Sequence, residues 1–456
     1  MDSQSGLITQ VDEIQSVTCE KEAHKSIEEE NLMKKKLLSL VLAVAMVGSL
    51  TACGGSGSSS DSDAVTITIF NSKSEVQDQF EELATEYSDS HEGVNIEVYY
   101  SQDTVSAHLA TKYASNEPYT ISMVDAKDIY SLAEEHAVDL TGEGWVDKTN
   151  VAISVNDKVV GFPVCIEARG VMYNKAAIEE VTGKEFDPAS VQTTEDFKAL
   201  LDELVKGGME TPTGVMKEDW SLAAHYLCEV YEEQDDVDAF VASLYDGSAD
   251  VAGNERFNSL MDTFDLLKEY NYAAKSPISA ERETSEQMLA DGEIAFMFGG
   301  NWDWSLIKDF NEEADLGMMP VPQSTDDDYN TKLVGGGSKY FFIDSSENTS
   351  EEQVQAAKDF LNWLVDDAEG NAFLTEKCAL VPAYSNIDAS ALDPLSKSVK
   401  EYADNAALVD NYNYCPDDHY SVLGAAMQKY LAGEVDRAGL ADEIANYWSS
   451  TTPVEH

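Results

Sequence analysis

The chain has 456 residues, too many for one ordinary hydrophobic core, so two domains or two lobes of one fold are expected. It carries 86 acidic and 29 basic residues, a formal net charge of −57, and its only arginines are Arg169, Arg256, Arg282 and Arg437. Without a basic patch there is no footing for nucleic acid or an anionic membrane surface, and the acidity reads as a well-solvated, self-repelling exterior.

From Met33 the chain reads MKKKLLSLVLAVAMVGSLTACGGSGSSSDSD. Lys34, Lys35 and Lys36 make a positive start, and the apolar run Leu37–Leu50 is shorter than the roughly 20 residues of a membrane span. Residues 33–52 therefore read as a signal peptide. Leu50-Thr51-Ala52-Cys53 resembles a bacterial lipobox, which implies lipidation of Cys53 and anchoring to the outer face of the cell membrane, the alternative being an ordinary cleaved signal. Residues 53–63 form the lipidated cysteine and a Gly/Ser tether that cannot bury enough apolar surface to fold. Residues 1–32 precede the signal; Met33 is the expected true start, and Glu28-Glu29-Glu30 would be a translated ribosome-binding site.

The body opens with a strand, VTITIF at 65–70, then an amphipathic helix over 74–90 with Val76, Phe80, Leu83, Ala84 and Tyr87 on one face. A second strand follows at 94–100. Strand, helix, strand is the unit of a parallel sheet. TISMVDA at 120–126 reads as a third strand before a helix at 127–137. Ligands in open α/β sheets gather beyond the carboxyl ends of strands, which singles out Asn71, Ser72 and Lys73 after the first strand and Asp125 after the third. VVGFPV leads into RGVMYNKAAIEE, a strand entering a helix, and TTEDFKALLDELVKGG is a capped helix ending at Gly207-Gly208. Further helices are expected at 255–270, 283–291, 351–369 and 425–447, with a strand at 293–300.

Several chemistries lack their motifs. There is no G-x-x-x-x-G-K-[ST], H-E-x-x-H, G-x-S-x-G or strand-placed G-x-G-x-x-G. Asp326, Asp328 and Asn330 imitate an EF-hand start, but Thr331 and Gly337 stand where glycine and glutamate are required. No C-x-x-C pair occurs among Cys19, Cys53, Cys165, Cys228, Cys378 and Cys415, which argues against zinc or thioredoxin-like chemistry. The last four are left as buried thiols or as one or two disulfides. No metal and no cofactor is expected.

GGNWDWS at 299–305 places Trp302 and Trp304 two positions apart, and in an extended chain both would face one side. Sugar rings offer apolar faces that match aromatic rings, and a rim of hydroxyls that match carboxylates and amides. Asp303, Glu167, Asp125 and Asn71 are candidates for that rim; the competing reading of the tryptophans is core packing.

Three stretches, in order, resemble extracellular solute-binding protein family 1, and within it the maltodextrin- and oligosaccharide-binding lipoproteins of ABC importers. They are GFPVCIEARGVMYNK, DGEIAFMFGGNWDWSLI, and DLGMMPVP followed by KLVGGGSKYFFI, within a likeness covering about residues 65–448. The resemblance implies an α/β, type II, two-lobe periplasmic-binding-protein-like fold with a multi-strand hinge and an interlobe ligand cleft. The N-terminal lobe would hold 64–167 plus 315–340 and the C-terminal lobe 168–314 plus 341–456. It implies a ligand loop at Asn71, Ser72 and Lys73, polar contacts from Asp125 and Glu167, and an aromatic platform at Trp302 and Trp304. Tyr420 falls near a further aromatic position, and Trp220 is either another stacking residue or the packing of a helix start. Arg169 departs from the maltodextrin pattern, where a small residue is expected; it would pair with Glu167 or reach a substrate hydroxyl.

The function so implied is capture of a carbohydrate outside the membrane and delivery to ABC permease subunits driven by a separate ATPase. The protein would be a monomer without catalytic residues. The alternatives are an exported glycosidase using Glu167 and Asp303, a binding protein for a non-sugar solute, and an adhesin or sensory lipoprotein.

Overall fold

A computed structural model describes residues 64–101, 103–325 and 327–454. The expected signal peptide, lipidated Cys53, tether and upstream residues 1–32 lie outside the described residues. Ten strands are described: β1 Val65–Phe70, β2 Val94–Tyr99, β3 Ile121–Asp125, β4 Ile153–Val155, β5 Lys158–Asn174, β6 Thr213–Gly214, β7 Phe296–Gly300, β8 Leu316–Met319, β9 Leu333–Ile343 and β10 Leu408–Val409.

β1 pairs in parallel with β2 and with β3, the expected opening unit. The helix between them, Gln77–Ser90, buries Phe80, Leu83, Ala84 and Tyr87, while Val76 sits in a preceding 3₁₀ turn. The sheet continues β3-β9-β5-β7-β6, with antiparallel pairing from β3 to β7.

β5 organises the molecule. Its first half, Phe162 to Arg169, pairs with β9, and its second half, Arg169 to Asn174, pairs with β7 and β8. The strand is nearly continuously buried, because both faces are covered. Gly335 lets β9 approach β5 closely: a β-carbon there would lie 2.5 Å from that of Ala168. Asn174 then caps the helix Lys175–Thr182, its side chain accepting from Ala177 N at 2.9 Å.

Two main hydrophobic clusters flank this strand. One gathers Ile67, Phe80, Phe162, Phe341, Phe360, Leu374 and Leu395. The other gathers Val171, Tyr226, Phe257, Phe296, Leu423, Ile444 and Trp448. Residues 356–399 join the first cluster and 423–448 the second, so the stretch 341–456, expected in one lobe, contributes to both.

Other differences are local. The expected helix at 425–447 is two helices, His419–Leu431 and Arg437–Ser450, broken where Gly433 adopts a left-handed φ of 72° and Asp436 caps the second. The strand expected at 293–300 begins only at Phe296, since Gly292 turns the chain with a φ of 73°. Helices at Val237–Tyr245, Trp304–Phe310 and Pro394–Asp404, and a π-helical segment at Trp220–Leu227, were not expected.

Candidate functional site

Walled by Glu167, Ala168 and Arg169 of β5 and by Gly337, Ser338 and Lys339 of β9, a cavity of about 490 Å³ opens. This lies within the range of about 300–1,000 Å³ usual for small-molecule sites. Lys73, Asp125, Glu167, Arg169, Trp220, Trp302 and Tyr420 all line it.

The turn after β1 is shaped by Asn71. Its Oδ1 accepts from Lys73 N at 2.9 Å, and its Nδ2 donates to Lys73 O at 3.0 Å and Gln77 Oε1 at 2.9 Å. Asn71 is fully buried and off the cavity, so it builds the loop and is not placed to touch a ligand. Ser72 is likewise absent from the lining, with Oγ buried. Lys73 alone of this loop reaches in, its Nζ donating to Glu167 Oε1 at 2.6 Å and lying 3.2 Å from Glu75 Oε1. Burial alone would push the Lys73 ammonium down, but Glu167, Cys165 and Glu75 together outweigh it and hold it above the ordinary lysine value. The same contact, against burial, holds Glu167 below the usual carboxylate range. Asp125 Oδ1 accepts from Lys339 Nζ at 2.5 Å.

Arg169 does not pair with Glu167. Its Nη2 donates to Glu232, its Nη1 donates to Asn411 Oδ1 at 2.7 Å, and its Nε lies 3.6 Å from Glu229 Oε1. Glu167 is already taken by Lys73, and the short helix Glu229–Glu232 brings two carboxylates to Arg169 from the other side. Here burial raises Glu232 above its ordinary value, with Arg169 opposing.

The two tryptophans part company. After β7 the chain coils into a 3₁₀ turn, Asn301–Asp303, and the helix Trp304–Phe310, so the extended spacing is lost. Trp302 turns to the cavity; Trp304 joins the first hydrophobic cluster at 9% exposure. The glycine pair makes this turn possible. The Trp302 ring folds back over Gly300, occupying the space a β-carbon would need, and the Asp303 carboxylate does the same at Gly299. Asp303 is fully buried, accepting from Gly300 N at 3.0 Å and from Arg282 Nη2 at 2.5 Å. It is absent from the cavity lining, so it neither joins Glu167 and Asp125 on the rim nor faces Glu167 across the cavity.

The π-helical segment Trp220–Leu227 supplies the second aromatic wall. Such wide turns recur at functional sites. His225 lies between the tryptophans, its ring 5.3 Å from Trp220 and 4.8 Å from Trp302. The Arg282 guanidinium sits 5.3 Å from the Trp220 ring centre. Burial first, then Arg169 and Arg282, hold the His225 imidazole well below its ordinary value and therefore neutral.

Sequence reasoning missed Asn411, Tyr412 and Asn413, which line the cavity from a loop. Tyr412 N donates to Glu232 Oε1 at 2.9 Å, tying that loop to the Arg169 cluster. The signal available was NYNY at 411–414, polar and aromatic residues without helical or strand period. Tyr420, 43% exposed, stands at the cavity's outer lining, where Lys127 Nζ pairs with Asp417 at 3.0 Å.

A profile of bacterial extracellular solute-binding proteins matches residues 82–407. The chain belongs to that family. Membership makes it a solute-binding protein and places it outside the cytoplasm; among the described residues no helix is long and apolar enough to cross a membrane. The fold is shared with solved structures. The binding protein MsmE of Bacillus subtilis, in an open conformation, is 17% identical with a TM-score of 0.68, over 86% of this chain and 98% of that one. RafE of Streptococcus pneumoniae in its apo form is 16% identical with a TM-score of 0.67, over 86% and 99%. A Bacillus licheniformis sugar transporter in complex with stachyose is 19% identical with a TM-score of 0.64, over 85% and 100%. The expected two-lobe α/β fold is that of these proteins.

Proposed function

We propose that this member of the family captures a neutral oligosaccharide between its two hydrophobic clusters, acting as lobes, and delivers it to an ABC permease. The observation that carries this reading is the cavity wall itself. Trp220 and Trp302 offer aromatic faces, while the charged residues around them, Lys73 with Glu167, Arg169 with Glu232 and Lys339 with Asp125, are paired with each other. A ligand with net charge would meet no unmatched partner; hydroxyls can hydrogen-bond to all of these groups. Structures sharing the fold were solved with raffinose and with mannobiose, which agrees with a sugar.

Binding would favour the closed arrangement of the lobes, and that arrangement would dock on the permease, which a separate ATPase powers. The protein would act as a monomer, tethered by lipidated Cys53 and residues 54–63, and would do no chemistry on its ligand. Calorimetric titration with neutral di-, tri- and tetrasaccharides and with their uronic-acid or phosphorylated counterparts tests the reading. Micromolar or tighter binding of a neutral sugar, with no product released, is expected; tight binding of only the charged set would overturn it.

A further inference from the structure

Cys228, Cys415 and His419 bring one potential ligand atom each to within 4.8 Å of one another, on the lining of the same cavity. They come from two parts of the chain. Cys228 follows the π-helical segment, and Cys415 lies in the loop that also carries Asn411, Tyr412 and Asn413, with His419 opening the next helix. Nearly two hundred residues separate the first cysteine from the second, so no short-range metal motif exists in the sequence.

The sulfurs of Cys228 and Cys415 stand 3.8 Å apart and both cysteines are free. A disulfide needs about 2.05 Å. Two thiolates about 2.3 Å from one tetrahedral zinc ion stand about 3.8 Å from each other. The imidazole is held for its part: His419 Nε2 lies 3.3 Å from Tyr231 Oη, and the Tyr231 and Trp448 rings lie 5.6 Å and 5.5 Å away. Positioning of that kind is what a metal-binding histidine needs.

We infer that Cys228, Cys415 and His419 form a binding site for one thiophilic divalent ion of the zinc type, with its fourth position open to the cavity. As the two metal–sulfur bonds form, each thiol gives its proton to solvent. Two thiolates and a neutral imidazole then balance the ion's charge, so the pairing of the other charges is undisturbed. The ion would fasten the Asn411–Cys415 loop to the π-helical segment and leave a water or a ligand hydroxyl as its fourth partner.

The test uses the full chain, reduced and stripped with a chelator, then titrated with cobalt(II) as spectroscopic probe and back-titrated with zinc. The expected result is a thiolate-to-cobalt charge-transfer band that saturates at one equivalent and is displaced by zinc. In C228S and C415S the affinity should fall at least tenfold, while C378A, whose thiol belongs to the first hydrophobic cluster and not to this group, keeps the band. Circular dichroism identifies any variant that fails to fold, and in that case H419A supplies the comparison. Absence of the band in the wild-type chain, or an unchanged band in C228S and C415S, would overturn the inference. So would a Cys228–Cys415 disulfide in protein isolated from its own cell envelope, seen as two fewer alkylatable thiols.

Discussion

Lys73 Nζ and Glu167 Oε1 meet at 2.6 Å on the cavity wall, joining the turn after β1 to the middle of β5. Both are largely removed from water, with side-chain exposures of 6% and 14%. Removing one member of such a pair strands the other, at a typical cost of about 3–5 kcal/mol. Glu167→Gln should therefore lower the unfolding free energy by roughly 3 kcal/mol, the neighbouring Glu75 offsetting part of the loss. Urea denaturation at neutral pH measures this. A change under about 0.5 kcal/mol would mean the pair is an incidental contact.

The same pair sets an acid dependence. Glu167 is held below its ordinary carboxylate value in the folded state, so its contribution is present above that ordinary value and is lost as pH falls through the folded one. His225, held well below its ordinary value, acts in the same direction at higher pH: folding keeps it neutral, and stability is lost as pH falls below about 6.5. Comparing denaturation midpoints at pH 7.5 and pH 5 should show a drop in the wild type that is smaller in His225→Gln. Equal drops would place the titration elsewhere.

Trp302 and Trp304 should separate by phenotype, since one lines the cavity and the other lies in the core. Trp302→Ala should weaken sugar binding by about 1–2 kcal/mol with little change in stability. Trp304→Ala should destabilise the fold by about 3–5 kcal/mol while any folded fraction binds normally. Calorimetry paired with urea melts distinguishes the two.

Gly300→Ala tests how the platform is held. The Trp302 ring occupies the place of the new methyl group, so one of them must move. Sugar affinity should fall roughly tenfold, about 1.4 kcal/mol, although no ligand-facing side chain has been altered. Affinity within twofold of the wild type would show that Trp302 need not lie over Gly300.

Much of this was legible in the sequence where local pattern and final structure agree. VTITIF alternates and becomes β1; TTEDF caps its helix through Thr193 and Asp196, and Gly208 ends it in a left-handed conformation. The carboxyl-end rule led to Lys73 and Asp125 at the cavity. What was hidden depends on distant partners. Arg169 could be assigned to Glu167 only while the helix Glu229–Glu232 was unseen. The spacing of Trp302 and Trp304 suggested one face because the turn after Gly300 has no unambiguous local signal. Asn411 to Asn413 lie in a loop whose conformation is set by contacts to Glu232 and Arg169 rather than by its own period.

The most direct test is tryptophan fluorescence of the protein titrated with a panel of neutral oligosaccharides, run beside Trp302→Ala. A saturable emission change at micromolar concentration for one sugar, lost or shifted at least fivefold in the variant, is the result predicted. No response to any sugar, or a response identical in Trp302→Ala, would contradict a carbohydrate site at this cavity.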